Sequence, residues 1–227
     1  ALEESSLVEI GVSALDGPVV SLKSCHQDQP VLEEALKRAE QGQQVLWIEN
    51  TVAEAQQRYL DLASRAIQLG CEVGLLHSRF TSHDRAKNEA RWVALYGKEG
   101  RESRGNCGRI LVGTQVLEQS LDIDADFLVS QFAPTDMLLQ RLGRLWRHSD
   151  TPRNTTAQPE CWLLAPSLEE ALVNPRSAFG SSAIVYEPYV LCRSLEAWQE
   201  LKSIRLPSDI RPLIDQTYVD RAETGDW

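Results

Sequence analysis

The sequence predicts an α/β fold, a three-layer domain with a mostly parallel sheet covered by helices on both faces. Three observations carry this. Short apolar runs recur at Val45-Leu46-Trp47-Ile48, Val73–Leu76, Arg109–Gly113, Phe127–Ser130 and Cys161–Leu164. Longer stretches with helical periodicity separate most of them. Strands that alternate with helices, and that are apolar throughout, belong to a parallel sheet buried on both sides.

Before the first buried run, Leu7–Ile10 and Val19–Leu22 read as short strands about an Asp16-Gly17-Pro18 turn. Pro30 falls in the first turn of a helix that places Val31, Leu32, Ala35 and Leu36 on one face, and Gln41-Gly42 closes it. Val52–Leu69 is a helix with Gly70 as its C-cap, and Thr81–Tyr96 is another, capped by Thr81 or Ser82 with Asp84 near its positive end. Gly97–Gly108 is glycine-rich with mixed charge and reads as a mobile loop. A helix is predicted over Asp136–Trp146. Beyond Pro166 the pattern loosens: Asn174–Ser182 is loop-like, then helices are expected over Pro188–Ser203 and from Ser208 to Tyr218. Pro212 moves the start of the last one towards itself.

With 42% hydrophobic and 25% charged residues, the 227-residue chain has the composition of a globular protein with a full core, and no apolar run approaches the roughly 20 residues of a membrane span. The five cysteines are widely spaced without a Cys-x-x-Cys pair, which disfavours zinc or a disulfide framework and suggests reduced thiols in the cytoplasm. The four histidines are too scattered for a metal cluster, so no metal site is expected. The start at Ala1, acidic and without Met, fits no signal peptide and suggests a piece of a longer chain. A net charge of −10 argues against non-specific nucleic-acid binding by the whole surface. Eight acids lie in residues 1–40 against three bases, whereas Arg141–Arg153 holds four arginines and one acid, so a phosphate-facing surface must be local.

That local surface centres on Gln140-Arg141-Leu142-Gly143-Arg144-Leu145-Trp146-Arg147. On a continuous helix Arg141, Arg144 and Arg147 share one broad sector, with Leu138, Leu139, Leu142 and Leu145 buried. Guanidiniums so arranged can fork hydrogen bonds to phosphate; a solvated basic face explains the spacing equally well. Upstream, Gly113-Thr114-Gln115 follows a buried strand, where backbone N–H groups and a hydroxyl can meet phosphate oxygens.

Together, Gly113–Asp122 resembles motif V and Gln140–Arg147 resembles motif VI of superfamily 2 helicases, and Ile48-Glu49-Asn50-Thr51 resembles motif IV. Gln115–Asp124, Leu76-His77-Ser78-Arg79-Phe80-Thr81, Leu138–His148 and Leu206–Ile214 are similar to the CRISPR-associated helicase-nuclease of type I systems. The resemblance covers roughly residues 45–220. It implies a second RecA-like domain over 1–166, with a linker and helical extension over 167–227. It also implies an ATP-dependent motor that unwinds DNA 3′→5′ after recruitment by the Cascade surveillance complex.

The resemblance assigns Arg144 and Arg147 as arginine fingers, and Gln140 and Arg141 as contacts to the first RecA-like domain. Gly113, Gln119 and Asp122 fall on the nucleotide side. Asn50, Thr51, His77, Ser78, Arg79, Thr114 and Gln115 form the track for single-stranded DNA. His77 is read with equal weight as a structural histidine, and Arg79 as a partner of Asp84 or Glu72. The sequence holds no phosphate loop, no Asp-Glu-x-His motif and no His-Asp pair suited to the nuclease. ATP and Mg would therefore be held mainly by a first RecA-like domain, next to a nuclease domain, elsewhere in the full protein, and this chain alone would be inactive. A restriction-type or repair helicase remains as one alternative, and a catalytically inactive protein-docking module as another.

Overall fold

The computed structural model describes residues 17–104, 107–119 and 121–222; the expected strand at Leu7–Ile10, Asp16 of the expected turn and Ser120 of motif V lie outside them. One seven-stranded sheet runs in the order β3-β4-β2-β5-β6-β1-β7. Its strands are β1 (Val19–Cys25), β2 (Gln44–Ile48), β3 (Glu72–Leu76), β4 (Arg109–Gly113), β5 (Phe127–Gln131), β6 (Glu160–Leu164) and β7 (Ser203–Arg205). The first six are mutually parallel, and β7 pairs antiparallel with β1.

Alternation along the strands divides the core in two, because successive side chains point to opposite faces. Val45 and Trp47, Ile110 and Val112, and Phe127 and Val129 pack with α1 (Asp28–Glu40) and α2 (Val52–Gln68). Leu46 and Ile48, Leu111, Leu128 and Leu163 face the other layer. There they meet α3 (Ser82–Tyr96) and α4 (Thr135–Leu142), together with α5 (Leu168–Val173), α6 (Pro175–Phe179), α7 (Ser182–Val185), α8 (Pro188–Trp198) and α9 (Ile210–Tyr218). Thr51 caps α2 by accepting from the Glu54 amide, and Thr81 caps α3 by accepting from the Asp84 amide. Residues past Pro166 bury Phe179, Leu191, Trp198 and Leu213 in the same core cluster as the sheet and contribute β7 to it.

Four expectations need correction. The helix from Asp136 stops at Leu142, because the following backbone finds better partners across the fold: Ala125 donates to the Arg144 carbonyl at 2.8 Å and Trp146 donates to Ala125 at 3.0 Å. Gly97–Gly108 is not simply a loop. Lys98–Ser103 forms a 3₁₀ helix, and the buried Arg104 guanidinium after it donates to the carbonyls of Tyr96 and Asp124 and to Asp126. Asn174–Ser182 contains the short helix α6, started by the Asn174 cap and Pro175, and leads into α7; the helix from Pro188 ends at Trp198, before β7.

Candidate functional site

The motif IV, V and VI stretches meet around Arg141. Its side chain is fully buried. The guanidinium donates to Glu118 at 2.7 Å, Ser130 Oγ at 2.9 Å, the Gln131 carbonyl at 2.8 Å, Asn50 Oδ1 at 2.9 Å and Tyr186 Oη at 3.4 Å. A buried charge is tolerated only when it is paired and its donors are satisfied. The reading of Arg141 as a surface contact to another domain is therefore corrected: it is the central tie of this one.

Asn50 is corrected for the same reason. It is 2% exposed, and its amide donates to the Phe132 carbonyl and Ser182 Oγ while its oxygen accepts from Arg141. The Gly-Thr-Gln turn is likewise spent inside the fold. The Thr114 amide donates to the Leu76 carbonyl, and Gln115 Nε2 donates to the Asn50 carbonyl and Tyr186 Oη. Gly113 is needed for packing: a Cβ there would sit 2.5 Å from the Leu76 carbonyl and 2.6 Å from Leu117 Cδ1. His77 is buried, stacks on Phe80, contacts Gln56 at 3.2 Å and accepts from the Arg79 amide, which fits its structural reading; burial depresses its pKa. Ser78 and Arg79, at the carboxyl end of β3, are exposed, and Thr51 is half-buried. Glu72 pairs with Arg91 and Arg109.

The three arginines do not share a sector. Arg144, 8% exposed, donates to the carbonyls of Leu121 and Glu118, and its Nε has no hydrogen-bond partner. Burial, and then the nearby Arg147 charge, lower its pKa. Arg147 is the outward one. Its Nε lies 3.2 Å from Asp122 Oδ1, and both side chains are about two-fifths exposed. His148 Nε2 approaches the same oxygen at 2.8 Å. Gly97 backs this corner, since a Cβ there would meet the Asp122 carbonyl at 2.8 Å. Gln140 and Gln119 are exposed. Glu118, Asp124, His148, Arg153 and Tyr186 were not legible as site residues. Glu118 lies within the motif V stretch and Asp124 two residues beyond it, and both could have been suspected as partners for the arginines of motif VI, whereas nothing in the sequence marks Tyr186.

A large cavity lies elsewhere, at the carboxyl ends of β1, β2, β5 and β6, with a volume of about 890 Å³. Asp28, Glu49, Glu54, Asp61, Glu169 and Glu170 line it beside Arg58, and none of Arg141, Arg144 or Arg147 reaches it. Its sign is wrong for phosphate.

Residues 41–150 match the family described as CRISPR-associated nuclease/helicase Cas3, C-terminal. The chain is 36% identical over 200 residues to the CRISPR-associated endonuclease/helicase Cas3 of Escherichia coli (strain K12), covering 85% of this chain. The chain belongs to the Cas3 family, within its C-terminal helicase region. The Cas3 of Thermus thermophilus is 37% identical over 70% of this chain. The crystal structure of T. fusca Cas3 superposes with a TM-score of 0.80 at 33% identity, over 92% of this chain and 25% of that one. A Cas3-ATP structure from T. fusca gives the same TM-score, and a CRISPR RNA-guided surveillance complex, pre-nicking, gives 0.75. The chain spans 21% and 16% of the E. coli and T. thermophilus Cas3 proteins. The Cas3 relationship and the parallel sheet together make this domain RecA-like.

Proposed function

We propose that this region is the second RecA-like half of an ATP-dependent translocase on single-stranded DNA that acts in CRISPR interference, and that Arg147 and Arg144 act on the nucleotide's phosphates. The observation that carries this is the corner formed by Arg147, Arg144 and Asp122. Arg147 is held by one carboxylate and the Gly143 carbonyl and is accessible from outside, while Arg144 keeps an unpartnered Nε beneath it. Such guanidiniums suit an incoming anion, since each can donate to the oxygens of a phosphoryl group.

A first RecA-like domain would hold most of the ATP and its Mg. When the two halves close, Arg147 would leave Asp122 and donate to the γ-phosphoryl oxygens, where charge develops, with Arg144 behind it. His148 would then retain Asp122 in place, free to meet the ribose. Exposed Gln140 and Gln119 would contact the opposing half. On the DNA side, Ser78, Arg79 and Thr51 would meet backbone phosphates in a sequence-blind way, and buried Asn50, His77 and Thr114, with half-buried Gln115, would support them from inside. Neighbours that include ATP-bound Cas3 and a surveillance complex favour ATP as the nucleotide and a Cascade-type complex as the recruiting partner, with the nuclease domain in the remainder of the protein.

The test supplies the first RecA-like half and measures DNA-stimulated ATP turnover. Arg147→Ala should lower kcat by about 10³-fold or more without changing the melting temperature of this chain. Undiminished turnover in Arg147→Ala would refute the assignment.

A further inference from the structure

Trp146 stands between the two proposed fingers and carries a left-handed backbone, φ +50°, alone among the described non-glycine residues. A residue with a Cβ keeps such a conformation only where its surroundings impose it, and such positions cluster at functional sites. Here the surroundings are specific. The Trp146 amide donates to the Ala125 carbonyl, and its indole Nε1 donates to the Asp126 carbonyl at 3.0 Å. Arg153 lies over the indole, 4.4 Å from the ring centroid. The same guanidinium bridges both oxygens of Asp124, at 2.7 and 2.9 Å, and reaches Asp126 at 2.5 Å. Asp124 in turn accepts the Arg147 amide at 2.9 Å.

We infer that Trp146 and Arg153 are positioning residues for Arg147. This rests on the reading of Arg147 as a finger. Had α4 continued, Arg147 would follow Arg144 by three helical residues, pointing near the same side and about 4.5 Å along the axis. The left-handed turn breaks that line. It leaves Arg144 tucked under the Glu118–Leu121 carbonyls and sends Arg147 outward to Asp122. The left-handed turn at 146 sets the direction of the chain, and the clamp of Arg153, through Asp124, on the Arg147 amide fixes the base from which that guanidinium swings. Glycine at 146 keeps the turn, because it enters positive φ freely; valine, branched at Cβ, opposes it.

The experiment compares Trp146→Gly, Trp146→Val, Arg153→Lys and Arg147→Ala with the first RecA-like half supplied, and follows amide exchange in this chain alone. Trp146→Val should lower kcat about 100-fold, the scale of an ångström-level misplacement, with KM for ATP unchanged. It should also deprotect the Arg147 amide while the amides of β4 and β5 stay protected. Trp146→Gly should recover most of that kcat and keep the amide protected. Arg153→Lys, which retains the charge but not the planar fork, should lie between them; it carries the comparison should Trp146→Val fail to fold. Wild-type kcat in Trp146→Val or Arg153→Lys, beside an inactive Arg147→Ala, overturns the inference. So do equal losses in Trp146→Gly and Trp146→Val, which would mean that indole packing alone matters. An active Arg147→Ala defeats the finger reading instead, and the amide pattern then decides the clamp.

Discussion

Replacing Arg141 by methionine should destabilise the chain by about 3–5 kcal/mol, the usual cost of removing one partner from a buried ion pair. The perturbation is severe because of what it leaves behind. Glu118, 4% exposed, would lose its 2.7 Å ion-pair partner, and Asn50 Oδ1 and the Gln131 carbonyl would each lose a donor. Methionine fills much of the volume, so the loss is electrostatic rather than a cavity. For a domain of this size each kcal/mol moves the melting temperature by about 2–4 °C, giving a drop of roughly 6–20 °C. Urea unfolding and calorimetry on the isolated chain measure it. Removing the orphaned carboxylate as well, in Arg141→Met with Glu118→Leu, should recover a substantial part, because two apolar residues bury no unpaired charge. A single variant that melts within about 2 °C of wild type would show that the buried contacts contribute little, and would return Arg141 to an inter-domain role.

Two more outcomes are expected. A thiol reagent on the native chain should modify half-exposed Cys107 first and Cys161 last, since burial pushes the Cys161 thiol far up; mass spectrometry reads the order, and early labelling of Cys161 contradicts the packing. His77 has its pKa lowered in the fold, so below about pH 6.5 the unfolded chain binds more protons and stability falls as pH drops from neutral. His77→Gln should flatten that slope in denaturation series between about pH 7 and 5, and identical slopes would show that burial of this ring does not matter to linkage.

The sequence by itself determined the layer order. Five apolar runs with helical stretches between most of them can bury both faces only in a covered parallel sheet, and all five are strands of it. Local signals also held, such as the Thr81 cap and Pro212 in the first turn of α9. The short C-terminal elements α5–α7 and β7 were not legible, because none is long enough to show a period. The three arginines illustrate what only tertiary structure could decide. Their spacing is that of one helix face, and on an isolated helix they would act alike. In the fold, Ala125 pairs with the backbone at 144 and 146 and ends the helix early. Arg141 then lies among Glu118, Asn50 and Ser130, residues 11 to 91 positions away in the chain, while Arg147 alone stays open to solvent. Which arginine is buried depends on carboxylates and carbonyls brought from distant strands, and local spacing carries no record of them.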